Sequence, residues 1–169
     1  MSLDETLKQI RPLALSIERV AQERLDSLTK PQGSLGKLEE IARRIAVIQG
    51  KVPPQLGGKL LFVFAADHGI TQEGVSAYPK DVTAQMTYNF LNGGAAINVL
   101  ARHHGVETEV VDVGVDYEFK DASGLRNRKL RRSTANFARG AAMTRDGAIR
   151  SVELGIELVK EAASKNLFI

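Results

Sequence analysis

The chain has 169 residues, 43% hydrophobic and 25% charged, a balance that excludes wholesale disorder; the absence of cysteine excludes a disulfide scaffold, a Cys-ligated metal and a thiol nucleophile. Lys and Arg number 23 against 20 Asp and Glu, a net charge of +3 that does not by itself mark a nucleic-acid binder. No apolar run approaches the ~18 residues of a membrane span, and the acidic start at Asp4 and Glu5 lacks the apolar core of a signal peptide, so a soluble cytoplasmic protein is expected.

The first 50 or so residues read as helix. Leu3, Leu7, Ile10, Ala14, Ile17, Ala21, Leu25 and Leu28 recur at steps of three and four, with Pro12 inside the pattern as a kink or the first turn of a second helix. Loop residues from Thr29 to Ser34 interrupt it. Ser34 is the expected N-cap of the next helix, whose apolar face is Leu35, Leu38, Ile41, Ile45 and Ile48. Gly50, Pro53, Pro54, Gly57 and Gly58 then mark a linker, which divides the chain into a small helical domain at 1–57 and an α/β domain at 58–169.

Leu60 to Ala66 is a short continuous apolar run, as expected of a strand covered on both faces. After a loop, Pro79 opens a helix bearing Val82, Met86 and Phe90, and Ala96, Ile97 and Leu100 line a second one ending near Gly105. Glu107 to Val115 is the next strand. Strand, helices, strand implies a right-handed crossover and a parallel pair. Residues 120–150 carry nine Lys or Arg against Asp121 and Asp146, with weak periodicity. They read as a solvated basic face or a contact with further chain. Thr144 is expected to cap a helix to about Lys165, with Ile149, Val152, Ile156, Val159 and Ala163 inward. The apolar ending Asn166–Ile169 reads as a strand beginning, and so as a truncation in mid-sheet.

The sharpest local feature is Asp67-His68-Gly69 at the end of the first apolar run. In parallel α/β sheets that end of a strand is where ligands bind. Asp67 suits a sugar hydroxyl or a metal, or simply caps the turn. His68 suits a ligand or proton-carrier role, or packs, and Gly69 permits close backbone approach. The loop that follows offers Tyr78 for stacking on a planar ligand, and Met86 lies two turns into the next helix, equally fit for a core. A strand ending in Asp-His-Gly can also hold a metal, so a metal-dependent phosphohydrolase or phosphomutase is the alternative enzyme class. That class needs further ligands, and the adjacent His103 and His104 point different ways. A nucleic-acid module is poorly supported, because Phe137 is the one aromatic in the basic stretch.

Together, LTKPQGSLGKLEEIA (28–42), FAADHGITQEGVSAYPKDVTAQM (64–86), VVDVGVD (110–116) and NFARGAAMTRDGA (136–148) resemble the nicotinate-nucleotide–dimethylbenzimidazole phosphoribosyltransferase family, in family order and over essentially the whole chain. The family's chain is much longer, and the resemblance is to its N-terminal half. It implies a doubly wound, Rossmann-like α/β fold with a mainly parallel sheet and a small helical domain, in a homodimer. Its reaction transfers phosphoribose from nicotinate mononucleotide to 5,6-dimethylbenzimidazole, with inversion, for the cobalamin lower ligand. It implies small-molecule substrates, no cofactor, no metal, no nucleic acid and no membrane. The family's general-base glutamate and phosphate-binding glycine loops correspond to positions beyond Ile169, so no catalytic residue is assigned here. What carries over is the base slot, assigned to Tyr78 and Met86, with Asp67, His68 and Gly69 beside it as substrate-binding candidates; the preferred base stays open.

Overall fold

The computed structural model describes residues 2–165, so the strand expected at Asn166–Ile169 lies outside the described residues. The chain forms two compact units, one of Leu7–Gly57 and one of the residues up to Thr6 together with those from Gly58 on.

In the helical unit α2 (Ser16–Asp26) packs against α3 (Lys37–Gln49), burying Ala21, Ala46 and Val47. The helix α1 (Leu3–Gln9) ends before Pro12, and α2 begins four residues after that proline. Pro12 therefore lies in a break between helices and opens neither of them. Ser34 does not cap α3. Gly36 holds that position at φ 52°, a left-handed value that costs glycine nothing. The loop before α3 is fastened instead by a buried ion pair: Lys30 Nζ lies 2.8 Å from Glu39 Oε1, which also accepts the Leu35 N–H at 3.0 Å. Both contacts, the lysine first, hold the Glu39 carboxyl below its ordinary pKa.

The second unit is built on a parallel sheet. β1 (Leu60–Ala66) pairs with β2 (Glu107–Gly114), and β2 with β3 (Leu125–Asn127). The crossover from β1 to β2 holds a 3₁₀ turn at Gly69–Glu73, α4 (Asp81–Leu91) and α5 (Ala96–His103). Ala65 and Val115 pack on Ala84 of α4. Phe62, Val111 and Val113 pack on Leu154 and Leu158 of α6 (Arg145–Ser164). Strand side chains alternate between faces, so α4 and α6 cover opposite faces of the sheet, the doubly wound arrangement. No helix among the described residues is long and apolar enough to cross a membrane.

Two details of α6 and the basic segment depart from expectation. Thr144 caps α6 through its Oγ1, which accepts the Gly147 N–H at 3.1 Å, as its residue type suggests. The buried stripe, however, is Leu154, Leu158 and Ala162, while Val152 and Val159 are about half exposed. Both stripes have helical spacing, and the Phe62–Val111–Val113 surface selects the one with the two leucines. Residues 120–150 are only in part a solvated basic face: Arg131, Arg132, Arg139, Arg145 and Arg150 are exposed, while Arg126, Arg128 and Lys129 are half-buried. They contain β3, and several of their cations are paired internally. Arg126 binds Glu109 and Glu161, Arg128 binds Glu157 at 3.0 Å, Arg132 binds Glu118 at 2.5 Å, and Arg139 binds Glu73 at 3.1 Å.

Candidate active site

The ends of β1 and β2 are shaped by two buried aspartates. Asp112, 1% exposed, accepts the Gly114 and Val115 N–H groups at Oδ1 (3.1 and 2.9 Å), which turns the strand end back on itself. Its other oxygen lies 3.0 Å from Lys129 Nζ, an ammonium that also donates to the carbonyls of Val115 and Tyr117. The pairing register shifts at this point, with Ala65 opposite Asp112 and Ala66 opposite Gly114. A bulge of this kind re-aims the residues that follow.

Asp67 is the second buried carboxylate, 6% exposed. Its Oδ2 accepts the Asp116 N–H at 2.7 Å, its backbone N–H donates to Gly114 O, and its carbonyl accepts from Thr134 N–H. It thus ties together three segments that are distant in sequence. Gly69 is buried against the same 134–136 segment and donates to Thr134 O at 3.2 Å. A Cβ there would lie 2.6 Å from Asn136 N and 2.7 Å from Thr134 O, both backbone atoms. Gly69→Ala is therefore expected to cost about 2 kcal/mol and to lower Tm by roughly 5 °C, read by thermal unfolding; an unchanged Tm would show that the 134–136 loop yields without cost.

Three cavities open around Asp67. One of about 330 Å³ is lined by Ala66, Asp67, Ser76, Tyr78, Lys80 and Met86. A second, about 450 Å³, includes Asp67, Lys80, Asp81, Tyr88, Asp116 and Tyr117. The third, about 400 Å³, lies on the α6 side, with Phe64, His68, Val113, Met143, Arg150 and Leu154 in its wall. Tyr78 and Met86 thus share the first cavity with Asp67, and both present surface to it, Tyr78 being 72% exposed. His68 does not join them; it is exposed and lines the α6-side cavity. Gly69 lines none of the three and instead sets the approach of the 134–136 loop.

Four residues that sequence reasoning did not single out complete the arrangement. Thr134 holds the turn from behind. Lys80, just before α4, pairs with Asp116, just after β2, and that contact holds the Asp116 carboxyl below its ordinary pKa. Periodicity carries no signal for such residues, which meet only through the crossover. Glu73, at the other end of the Tyr78 loop, accepts from Asn136 Nδ2 at 2.6 Å and from Arg139 Nε at 3.1 Å. Among the described residues no group of three His, Asp or Glu side chains is placed to hold a metal ion.

A cavity carrying an aromatic ring in its wall, at the carboxyl ends of parallel strands, suits a planar ligand. A family profile described as a phosphoribosyltransferase matches residues 10–169. The chain belongs to this phosphoribosyltransferase family. It is 54% identical over 165 residues to the nicotinate-nucleotide–dimethylbenzimidazole phosphoribosyltransferase of Geobacter sulfurreducens, covering 98% of this chain and 47% of that protein. The enzyme of the same name from Pelodictyon phaeoclathratiforme is 51% identical, over 92% of this chain and 44% of its own. The crystal structure of that enzyme from Thermus thermophilus superimposes with a TM-score of 0.83 at 48% identity, over 90% of this chain and 46% of that one. The chain thus spans about half the length of the curated relatives it matches. In parallel α/β folds ligands generally bind at the carboxyl ends of the strands, the edge at which the Asp67 turn lies.

Proposed function

We propose that this chain supplies the base slot of a phosphoribosyltransferase that moves phosphoribose from nicotinate mononucleotide to 5,6-dimethylbenzimidazole, forming α-ribazole 5′-phosphate and nicotinate. The observation that carries this reading is the 330 Å³ cavity that Tyr78 and Met86 line together at the strand end of Asp67, in a chain about half identical to enzymes of that name. The slot offers an aromatic ring and a thioether to a planar base. Its acidic lining residue among those described, Asp67, already accepts the Asp116 N–H. The slot therefore holds and orients the base, while proton removal falls to a group outside residues 2–165. A ring nitrogen of the benzimidazole attacks the anomeric carbon of the nucleotide, and the pair of the broken glycosidic bond leaves with nicotinate; inversion gives the α-riboside. The slot's contribution is positioning, which converts an encounter into a near-attack arrangement. We read the assembly as a cytoplasmic homodimer of such chains, with small-molecule substrates and no cofactor.

Tyr78 provides the test. A stacked aromatic contact contributes on the order of 1 kcal/mol beyond the area it covers. In the intact natural protein, Tyr78→Ala is expected to raise the KM for dimethylbenzimidazole about fivefold and leave that for nicotinate mononucleotide nearly unchanged. Equal rises in both constants would reject a base-specific role for the ring.

A further inference from the structure

Asp67 and Lys80 are the two residues that border both the Tyr78–Met86 slot and the 450 Å³ cavity beside it. Asp67 is immobilised by its backbone and carboxylate contacts. Lys80 is held by the carboxylate of Asp116, whose own N–H is the group bound to Asp67 Oδ2. The three residues form a relay from β1 through the end of β2 to the start of α4. The Pro79 and Lys80 carbonyls at that start accept the N–H groups of Val82 and Thr83, each at 3.1 Å, and so set the first turn of the helix that carries Met86. The lysine therefore stands at the boundary between two voids, with its ammonium fixed on the strand-end aspartate.

We propose that the Lys80–Asp116 pair is a partition that limits the length of the base slot, making Lys80 a specificity-determining residue and Asp116 its positioning partner. The proposal rests on the function proposed above for the substrate, and on geometry alone for the anchor. With the partition present, a two-ring benzimidazole fills the slot and a three-ring analogue meets the lysine stem. With it removed, the slot opens into the adjacent cavity and the longer ring system is accommodated. The pair is partly exposed, with side chains 44% and 34% accessible, so its own contribution to stability is small. Its effect is on which ligand fits.

The test compares kcat/KM for dimethylbenzimidazole and for the linear three-ring naphthimidazole in the intact natural protein. Lys80→Ala is expected to shift the ratio toward the three-ring base by roughly tenfold, the scale on which apolar pockets discriminate shape. The charge-swapped pair Lys80→Asp with Asp116→Lys is expected to return most of that selectivity, which a purely structural role would not do. An unchanged ratio in Lys80→Ala, or a swap no more selective than the single variant, overturns the partition. Amide hydrogen exchange needs no substrate. Val82 and Thr83 are expected to exchange roughly twofold to fivefold faster in Lys80→Ala, and unchanged protection overturns the anchor. If the parent protein uses neither base, the proposed function fails, and the exchange result still decides the anchor.

Discussion

Residues 1–169 alone are expected to form no detectable α-riboside from nicotinate mononucleotide and dimethylbenzimidazole. The reaction needs a base for the benzimidazole proton and an anchor for the nucleotide phosphate. The carboxylates around the slot are committed elsewhere: Asp67 to the Asp116 N–H, Asp116 to Lys80 and Glu73 to Arg139. Lack of a general base alone costs about 10²–10⁴-fold in rate, before the loss of phosphate positioning is counted. The same chain is expected to self-associate. β1 lies at one edge of the sheet formed by the described strands, and Phe64 on it is 50% exposed, so strand edge and apolar surface coincide. Chromatographic detection of product, beside light scattering on the same sample, checks both. A monodisperse monomer that turns over would overturn the assignment of the slot as a positioning element without its own base.

The largest effect on stability is expected from Lys129→Met. Asp112 is 1% exposed and its Oδ2 faces the Lys129 ammonium at 3.0 Å, which also serves two backbone carbonyls. Removing the lysine leaves a buried carboxylate with no counter-charge, a change that costs about 4 kcal/mol. For a chain of this size that lowers Tm by roughly 10 °C. The double variant Lys129→Met with Asp112→Asn removes the stranded charge and keeps an oxygen for the Gly114 and Val115 N–H groups. It is expected to recover more than half of the loss. A single variant as stable as the parent in thermal or urea unfolding would show that the pair is solvated in solution.

Much of this arrangement is legible in the sequence, and the limits are physical. The apolar run 60–66 ending in Asp67 points to a parallel strand, because so continuous a run has to pair within a sheet and the chain must leave it at a polar turn; the burial on both faces that such a run suggests is incomplete, with Phe64 half exposed. Tyr78 and Met86 are legible through the family motif, and they do meet at one cavity. Adjacency in sequence groups His68 with them, yet it lines the α6-side cavity, since neighbouring residues leaving a strand diverge. β3 gives no sequence signal because three residues carry no readable alternation. The inward face of α6 is ambiguous because two apolar stripes run along it, and only the sheet decides between them. Lys80, Asp116 and Thr134 cannot be found from spacing at all, since their contacts join segments far apart in the chain: Lys80 to Asp116, and Asp67 to Thr134.

The arginines that link β3 to α6 have a bearing on how this unit opens. A three-residue strand holds its neighbours with few backbone bonds, and here the deficit is met by charge: Arg126 bridges Glu109 of β2 and Glu161 of α6, and Arg128 reaches Glu157. The Arg126 guanidinium keeps the Glu161 carboxyl below its ordinary value. That contribution is complete above the normal glutamate range and fades as pH falls through the lowered value. Acid and salt therefore act on the same seam, one by neutralising Glu161 and the other by screening its ion pairs. Among the described strands, β3 and the basic segment around it are therefore expected to open first, as a local unit, while β1, β2 and α4 stay folded.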